Sequence, residues 1–409
     1  MKILILGGGY AGILTAKALE KKLKHRKDVS ITLIDKNPYH TLMTQLHEVA
    51  GGRVSPNAVR IPFDMIFRKG HVSVMQDEIK EFDFQNRKLL SNNNSYDYDF
   101  LVIGTGSRPD FFGIYSAERY GYKIWSYKEA VTIRSMIYEQ FEIASTMSNS
   151  SKIRERLNFV IAGGGFTGVE LAGEIASWKK SLCKHFNIDN SDVGLFLVEA
   201  SPDILNALDN FLRKNCRRYL EKLGVEILTN CSIEKMEGNN IYLGNGNVIK
   251  GSLIWTAGIK GNPYIQKSDI NYDEKRHWIN VNDSLQSLSH ENVFSVGDSL
   301  FYIYDDKPVP KVVETCMQSA DLVAKNIIQL IYKMPLLHFH PKYHGSMVSV
   351  GSYYGVAKVG KIKLTWLFAT ALKHLMNLHY MHVIGGFKLD FKYIKDQFID
   401  RFFNRKEVE

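Results

Sequence analysis

Long hydrophobic runs are missing from this 409-residue sequence. A helix that crosses a bilayer needs about 20 consecutive apolar residues, whereas the longest candidate near the end of the chain, Trp366–Leu372, is interrupted by Lys373 and His374. The short apolar run Ile3–Leu6 leads directly into glycines, unlike a secretory signal peptide. These patterns exclude a polytopic membrane protein, and we expect the chain to stay in the cytoplasm.

Cysteine is also scarce. The four cysteines are far apart and form no C-x-x-C pair: Cys183, Cys216, Cys231 and Cys316. This usage fits a reducing compartment and argues against zinc ribbons and iron–sulfur sites. His47-Glu48 begins like a zinc-protease motif, but Gly51 stands where a second histidine is required. The sequence therefore predicts no metal site.

Acidic residues are few near the end of the chain. Residues 351–409 contain ten Lys/Arg and five Asp/Glu, so about +5 of the net charge of +9 lies there. Nucleic-acid binding would require a recognition motif, and none is found. An anionic membrane surface is the partner that this charge favours.

A glycine-rich loop follows the first predicted strand. Lys2–Leu6 is continuously apolar, as a buried parallel strand should be, and Gly7–Gly12 follows it with the pattern G-x-G-x-x-G. Ile13–Leu23 is a predicted helix, and the next strand ends in Asp35. In this motif the first glycine permits the tight turn, the second lets the backbone approach a pyrophosphate, and the third lets the helix pack on the strand. The acidic residue accepts the ribose hydroxyls, so the sequence predicts a dinucleotide site.

The same construction recurs in the middle of the chain. Asn158–Ala162 is a predicted strand, Gly163–Gly168 is the loop, Val169–Ser181 is a predicted helix, and the following strand ends in Glu199. The wider spacing before Glu199 contains a polar insertion around Lys184–Asp192, predicted as a longer helix and a surface loop. Two such units in one chain indicate that it binds two nucleotides.

Three further strand ends resemble cofactor contacts. Tyr98–Gly106 ends in Gly-Thr-Gly, Leu253–Gly258 ends in Ala-Gly, and Asn292–Asp298 ends in Gly-Asp. Each segment places a small residue where the backbone can approach a flat cofactor, and Asp298 places a carboxylate near a polyol chain. In this order and spacing they are predicted cofactor contacts rather than simple turns.

These features resemble the flavoproteins with two dinucleotide-binding domains, and most closely the type II NADH dehydrogenases (NADH:quinone oxidoreductases). The resemblance is based on Asn37–His40 continuing into Leu46–Glu48, Gly163–Glu170, Trp255–Gly258, the glycine-punctuated strands in Gly345–Gly360, and the amphipathic C-terminus. It implies an α/β fold with two Rossmann-like domains, for FAD and NADH, and a C-terminal region of β-strands and amphipathic helices. The implied domains are residues 1–115 (FAD, first part), 116–275 (NADH), 276–330 (FAD, second part) and 331–409 (membrane-anchoring region).

The resemblance implies an enzyme that does not pump protons. A hydride passes from NADH to FAD, and two electrons then reduce a membrane quinone. The protein would be a peripheral membrane homodimer on the cytoplasmic face of the cell membrane. Disulfide reductases have a cysteine pair after the first acidic residue, and residues 36–60 contain no cysteine. Sulfide:quinone oxidoreductases need a late cysteine, and none lies beyond Cys316. That class, a reductase with a non-quinone acceptor, and a signalling or scaffolding flavoprotein remain the alternatives.

The family's functional residues carry over by position. Glu170 is implicated in catalysis, although an acid at that position is also favoured by the helix dipole. The implied cofactor contacts are Gly7, Gly8, Gly9, Tyr10, Ala11, Gly12, Asp35, Lys36, His40, Ile79, Thr105, Gly106, Asp298, Val313 and Glu314 for FAD, and Gly163, Gly165, Phe166, Thr167, Gly168, Glu199, Ala257 and Gly258 for NADH. Glu199 favours NADH over NADPH because a carboxylate repels a 2′-phosphate.

The implied quinone contacts are Gln318, Ser319 and Lys373. The family carries Ala-Gln-x-Ala-x-Gln-Gln where this chain has Val313–Ser319, so only Gln318 remains of the glutamines, and Glu314 and Ser319 replace the others. The identity of the electron acceptor is therefore open, although the fold and NADH oxidation are unaffected.

Two amphipathic helices are predicted after residue 363. Leu364–Met381 has apolar residues at 364, 368, 371, 372, 375 and 378, with Lys373, His374 and Asn377 opposite. After Gly385-Gly386 a second helix has Phe387, Phe391, Ile394, Phe398 and Phe402 on one face and Lys388, Lys392, Lys395 and Arg401 on the other. Such basic, aromatic-rich helices are typical of an interfacial membrane anchor. Alternatively, the apolar faces pack on the core or across a dimer, and both arrangements can coexist.

Overall fold

The computed structural model describes residues 1–68 and 70–399. The α-helices are α1 Tyr10–Leu23, α2 Leu46–Ala50, α3 Phe63–Ile66, α4 Tyr115–Tyr120, α5 Tyr127–Ser145, α6 Ser150–Arg156, α7 Phe166–Phe186, α8 Asn210–Lys222, α9 Val313–Ile331, α10 Trp366–Gly385 and α11 Phe387–Ile394. The strands of the three main sheets are β1 Lys2–Leu6, β2 Ser30–Asp35, β3 Val72–Gln76, β4 Phe100–Ile103, β5 Tyr122–Lys123, β6 Asn158–Ala162, β7 Gly194–Val198, β8 Glu226–Leu228, β9 Ser252–Trp255, β10 Val293–Ser295, β11 Gly345–Val350, β12 Tyr354–Val359 and β13 Ile362–Thr365.

Shorter strands form small sheets around these. They are Tyr39–Thr41, Arg60–Pro62, Glu81–Asp83, Lys88–Leu90, Ser95–Asp97, Arg108–Pro109, Ile233–Glu237, Asn240–Leu243, Val248–Lys250, Ile259–Lys260, Ile279–Asn280, Leu300–Phe301, Ile303–Tyr304 and Lys307–Pro308.

Two parallel five-stranded sheets organise the fold. The first has the order β10-β4-β1-β2-β3, and the second has the order β5-β9-β6-β7-β8. Their central strands are buried, with Ile3, Ile5 and Phe159 fully inaccessible, as expected of parallel strands covered on both faces. In each sheet the first strand of a nucleotide unit is central, so its glycine loop opens at the carboxyl edge where ligands bind. The predicted α/β fold with two Rossmann-like units is confirmed.

Element boundaries differ from the sequence prediction at several points. Helix α1 begins at Tyr10, inside the glycine loop, and α7 likewise begins at Phe166 and continues to Phe186, which absorbs the start of the predicted insertion. Leu364 is not helical, because it pairs with Ala357 in the antiparallel sheet β11-β12-β13. Helix α10 therefore begins at Trp366 and extends to Gly385.

The C-terminal region packs back onto both halves of the fold. Strand β11 lies against α7 and α8, while α10 lies against β12 and also touches α1 and α3. None of the helices in the described part of the chain is long and apolar enough to cross a membrane. The predicted anchor residues Arg401 and Phe402 lie outside the described residues.

Candidate active site

The first glycine loop has the geometry that its sequence predicts. Gly7 has a φ of +108°, and a Cβ there would lie 2.3 Å from the carbonyl oxygen of Gly104. A Cβ on Gly12 would lie 1.8 Å from the Gly7 oxygen, so the helix could not approach the strand with any other residue. A Cβ on Gly9, by contrast, would meet nothing within 4 Å. The loop therefore presents bare backbone to open space at the N-terminus of α1.

The second loop repeats this geometry. Gly163 has a φ of +107°, and a Cβ on Gly168 would lie 1.8 Å from the Gly163 oxygen. A Cβ on Gly165 would again meet nothing within 4 Å. Ala257 packs against Gly163, since a Cβ on that glycine would lie 2.9 Å from the Ala257 backbone. Both loops therefore fit a dinucleotide pyrophosphate placed at a helix N-terminus.

An acidic side chain closes each loop from the neighbouring strand. Asp35 accepts a hydrogen bond from the Gly8 N–H (2.7 Å), and Glu199 accepts one from the Gly164 N–H (2.6 Å). A carboxylate has about four acceptor positions, so both side chains keep capacity for ribose hydroxyls. Burial raises the pKa of Asp35, although the N–H groups of Asn37 and Gly8 oppose the shift.

Two distant strand ends meet beside the first loop. The Gly106 N–H donates to Ser299 Oγ (2.8 Å), and Ser107 Oγ donates to Asp298 (3.0 Å). Thr105 lies in the same turn, 3.4 Å from Ser299 Oγ. The sequence predicted the Gly-Thr-Gly and Gly-Asp segments as contacts with one cofactor, and the fold brings them together.

Lys311 adds a buried cation that the sequence analysis missed. Its ammonium donates to the Leu300 carbonyl and lies 4.2 Å from the centre of the Trp278 ring. Burial lowers the pKa of Lys311 to about 8, while Asp298 opposes the shift. Burial also raises the pKa of Asp298, against the effect of Lys311. No spacing rule links Lys311 to a glycine loop, so the sequence offered no signal for it.

His40 binds the first loop from the protein interior. Its Nδ1 donates to the Gly8 carbonyl (3.0 Å), and its Nε2 accepts from the Tyr380 hydroxyl of α10 (3.0 Å). Burial lowers the pKa of His40 to about 4, so the ring is neutral. Tyr10 packs against both rings and lies 3.0 Å from Thr44 Oγ1 through its hydroxyl. His40 and Tyr10 therefore shape the loop from the interior.

The remaining predicted cofactor residues differ in their exposure. Ala11 and Ile79 are buried, Lys36 is exposed, and Phe166 and Thr167 are exposed at the start of α7. Gly258 has a φ of +66° at the turn after β9.

The start of α9 binds the segment that precedes β11. Gln318 uses both ends of its amide on the Lys342 backbone, donating to the carbonyl (2.6 Å) and accepting from the N–H (2.9 Å). Glu314 accepts from the backbone and ring of His344. Glu314 and Gln318, which lie one helical turn apart on α9, therefore bind the extended segment that leads into β11. Val313, the first residue of α9, is half-buried.

Ser319 is fully buried in the structure. Its hydroxyl donates to the Thr315 carbonyl (2.7 Å) and accepts from the Gly297 N–H (3.0 Å). A short hydroxyl side chain bonds back to the preceding turn, whereas a glutamine would project further. Ser319 and Gln318 therefore each have partners within the protein, and their contact with a quinone stays a prediction.

A buried ion pair joins α7 to α10. Lys373 Nζ lies 3.1 Å from Glu170 Oε1 and donates to Ser349 Oγ (2.6 Å) on β11. Ser349 also donates to Glu170 Oε1 through its hydroxyl (2.8 Å) and its N–H (3.0 Å). The sequence predicted roles for Glu170 and Lys373, but Ser349 had no motif to mark it.

His47-Glu48 on α2 completes this cluster. His47 Nε2 lies 3.2 Å from Lys373 Nζ, and Glu48 Oε1 lies 3.5 Å from the same ammonium. Arg53 pairs with Glu48 (2.5 Å) and with Glu174 (3.1 Å). Burial alone would raise the pKa of Glu48, but Arg53 and Lys373 hold it below its ordinary value. We name these residues and Glu170 the buried cluster: His47, Glu48, Arg53, Glu170, Glu174 and Lys373.

Helix α10 has two opposite faces. Its inner face buries Lys373 and Tyr380, while apolar side chains on its outer face are exposed. The exposed apolar residues of α10 and the segment after it are Trp366, Leu367, Phe368, Leu375, Met376, Val383, Phe387, Phe391, Ile394 and Phe398. We name this set the apolar face. Of the apolar stripe predicted on the first helix, Phe368 and Leu375 are exposed, whereas Leu372 and Leu378 are half-buried and Leu378 packs against the core.

Two of the predicted surface lysines point inward. Lys373 is 8% exposed and lies in the buried cluster, and Lys392 donates to the Asn57 carbonyl (3.2 Å) and pairs with Asp396. Each lysine binds a carboxylate or a carbonyl group of a neighbouring element. A helical wheel shows one helix alone and therefore cannot reveal such partners. Lys388 and Lys395 remain exposed beside the apolar face.

Comparison with known proteins agrees with this architecture. Residues 1–320 match the family model described as pyridine nucleotide-disulphide oxidoreductase. The type II NADH:quinone oxidoreductases of Staphylococcus aureus strains MSSA476 and NCTC 8325 are each 29% identical over 402 residues, covering 96% of this chain and 98% of theirs.

Two solved structures share the fold. NDH2 from Plasmodium falciparum in complex with NADH has a TM-score of 0.88 at 18% identity and covers 99% of both chains. The sulfide:quinone oxidoreductase from Aquifex aeolicus has a TM-score of 0.77 at 17% identity, covering 99% of this chain and 95% of its own. The match of residues 1–320 to the family model shows that the chain belongs to the pyridine nucleotide-disulphide oxidoreductase family.

Proposed function

We propose that this protein is a type II NADH:quinone oxidoreductase, which oxidises NADH and reduces a membrane quinone. The observation that carries the proposal is the Lys373–Glu170 pair. Glu170 lies two residues after the second glycine loop, and Lys373 lies on the helix whose other side belongs to the apolar face. One pair of side chains thus links the NADH loop to a surface suited to a lipid-soluble substrate. The Staphylococcus aureus relatives support this assignment.

The first loop would hold FAD. The bare backbone at Gly9, the free acceptor capacity of Asp35, and the Asp298 carboxylate beside Gly106 fit a pyrophosphate, a ribose and a polyol chain. When bound, FAD supplies a hydride acceptor that can pass an electron pair onward. Val313 and Glu314, at the N-terminus of α9, would direct helix-end N–H groups toward the flavin ring.

The second loop would bind NADH. Glu199 is held by the Gly164 and Ser201 N–H groups (2.6 and 2.8 Å), which fixes its charge where an adenosine ribose would lie. That charge would repel the 2′-phosphate of NADPH. Phe166, exposed at the start of α7, would line the same groove.

The membrane surface would be reached through the apolar face. Exposed phenylalanines such as Phe387 (83%) and Phe391 (65%) would enter the interface, and Lys388 and Lys395 would meet anionic headgroups. The proposal includes peripheral attachment to the cytoplasmic face of the cell membrane, as expected from the family resemblance. A homodimer, implied by the family resemblance, stays a prediction, as do the four domain boundaries.

A sulfide:quinone oxidoreductase is the competing assignment, since one such enzyme shares the fold. Its chemistry requires two cysteines near the flavin, including a late one. In this chain Cys316 lies close to Gly297, and no cysteine follows it. A lone thiol cannot form the disulfide that accepts sulfide, so the cysteine pattern favours NADH as the electron donor.

The test is an assay of the purified protein with NADH or sulfide as donor and a panel of quinones as acceptors. The proposal expects a yellow protein that releases FAD on denaturation and turns over only with NADH. Turnover with sulfide alone, or a colourless protein that FAD cannot reconstitute, would refute it.

A further inference from the structure

His47 occupies a position that the proposed function has not yet used. The residue lies on α2 in the FAD-binding half, yet its ring faces one residue from α7 and one from α10. His47 Nδ1 lies 3.5 Å from Glu170 Oε2, and His47 Nε2 lies 3.2 Å from Lys373 Nζ. The ring is 3% exposed, so water does not compete for either nitrogen. One imidazole therefore bridges the two members of the ion pair.

The contacts of Lys373 determine how the ring is protonated. An ammonium group has three donors and no acceptor. Two of these donors are directed at Ser349 Oγ (2.6 Å) and Glu170 Oε1 (3.1 Å), and the third reaches His47 Nε2. The Nε2 atom must accept, so a neutral ring carries its proton on Nδ1, facing Glu170 Oε2.

The surroundings keep the ring neutral. Burial holds the pKa of His47 well below its ordinary value, and the nearby charge of Lys373 lowers it further. The charged groups that face the ring are Glu48 from its own helix, Arg53 from the following turn, Glu170 from α7 and Lys373 from α10. A neutral histidine in this position can orient both partners without adding a charge.

We propose that His47 is a positioning residue for quinone reduction, because it holds the Lys373 ammonium and the Glu170 carboxylate in the arrangement that delivers a proton to the quinone. The inference rests on the proposed function. The overall reaction is NADH + H⁺ + quinone → NAD⁺ + quinol. An N–H bond of Lys373 breaks as an O–H bond forms on the reduced quinone, and bulk water returns the proton to the amine.

The position of the ring predicts which step depends on it. The described partners of His47 are Glu48, Glu170 and Lys373 of the buried cluster, and none of them is a residue of either glycine loop. A one-electron acceptor such as ferricyanide takes electrons without protons: NADH + 2 ferricyanide → NAD⁺ + H⁺ + 2 ferrocyanide. Loss of His47 should therefore slow quinone reduction and spare ferricyanide reduction.

The experiment compares His47→Asn, His47→Gln and His47→Phe in the FAD-loaded full-length enzyme. An asparagine amide can replace the Nδ1 donor, and a glutamine oxygen can replace the Nε2 acceptor, so each keeps one contact; phenylalanine keeps neither. We expect His47→Phe to lower kcat with a water-soluble quinone by about tenfold or more, while kcat with ferricyanide and the KM for NADH change by less than about twofold. The two amide variants should be intermediate.

His290→Gln is the matched control, because His290 is also partly buried beside a carboxylate, 3.6 Å from Asp269, but away from the cluster. His290→Gln should change neither quinone reduction nor ferricyanide reduction. The solvent deuterium isotope effect on quinone turnover should increase in the His47 variants, which a purely structural defect would not cause. Equal losses with both acceptors, or unchanged quinone turnover in folded His47→Phe, would overturn the inference. A wild-type enzyme that reduces ferricyanide but no quinone would instead refute the proposed function.

Discussion

Lys373 Nζ lies 3.1 Å from Glu170 Oε1, although the two residues are 203 positions apart in the chain. The pair is buried, with side-chain exposures of 10% and 12%. Ser349 on β11 and His47 on α2 also contact Glu170. The half with the first glycine loop, the half with the second, and the C-terminal region therefore meet at the Glu170 carboxylate. Quinone chemistry and the stability of the C-terminal region should therefore depend on the same few side chains.

Lys373→Met is expected to destabilise the protein. Removing one member of a buried ion pair leaves Glu170 and Glu48 with less compensation, at a cost of about 3 kcal/mol in the free energy of unfolding. Urea unfolding measures this cost. Lys325→Met is the control, because Lys325 pairs with Asp321 on an exposed face of α9 and its loss should cost less than about 0.5 kcal/mol. Equal effects of both substitutions would show that the contacts of Lys373 contribute no more to stability than an exposed ion pair does.

Glu199→Gln should reduce the preference for NADH. The glutamine keeps the size of the side chain and removes the charge that opposes a 2′-phosphate. We expect the ratio of kcat/KM for NADH to that for NADPH to fall by roughly tenfold, equivalent to about 1.4 kcal/mol of like-charge repulsion. Glu237→Gln, on an exposed strand of the same half, serves as control and should leave the ratio unchanged. Equal use of both nucleotides by the wild-type enzyme would contradict the role of Glu199.

Phe387→Ser combined with Phe391→Ser should weaken binding to liposomes. Both rings are exposed, and burying a phenylalanine contributes about 1.5–3 kcal/mol. Removing the C-terminal helices would also remove Lys373 and Tyr380, which α10 buries in the protein interior. The two point substitutions change only exposed side chains and therefore test the membrane contact alone. Liposome flotation at low and high salt measures the binding. Tyr115→Ser, at a site that is 80% exposed on α4, is the control. Undiminished flotation of the double variant would place the membrane contact elsewhere.

His40 should make stability fall in mild acid. Its pKa is about 4 in the folded protein, below the ordinary value of 6.5 that it regains on unfolding. The contribution of His40 is therefore complete above pH 6.5 and is lost as the pH falls toward 4, because only the unfolded chain readily takes up the proton. Between pH 6 and 5 this corresponds to about 1 kcal/mol per pH unit.

The measurement is the pH slope of the urea unfolding free energy in wild type and in His40→Gln. The His40→Gln variant has no imidazole to protonate on unfolding. Its unfolding free energy should therefore change with pH less steeply than that of the wild type, by about 1 kcal/mol per pH unit between pH 6 and 5, whatever its absolute stability. Identical slopes would show that His40 titrates normally in the folded state.

The two nucleotide units could be predicted from sequence because their rules are local. Gly7, Gly12 and Asp35 lie within one βαβ unit, and Gly163, Gly168 and Glu199 repeat it, so spacing alone fixes which atoms meet. The orientation of α10 could not be predicted. An amphipathic pattern identifies two faces but not which one is buried, and here the face with Lys373 is inside.

The partners of Gln318 and Ser319 on α9 could not be predicted for a related reason. Gln318 and Ser319 were aligned with the family's glutamines, but their partners, Lys342 and Gly297, lie in segments whose positions only tertiary structure defines. Ser349 likewise had no sequence signal, because an isolated serine on a strand carries no spacing rule.

The most direct test of the central claim is the stoichiometry of the reaction without oxygen. NADH consumed and quinol formed are measured together, with the FAD-loaded wild-type enzyme and a water-soluble quinone. A type II NADH:quinone oxidoreductase should form one quinol for each NADH consumed. NADH oxidation that yields no quinol, or no NADH oxidation with any quinone, would contradict it.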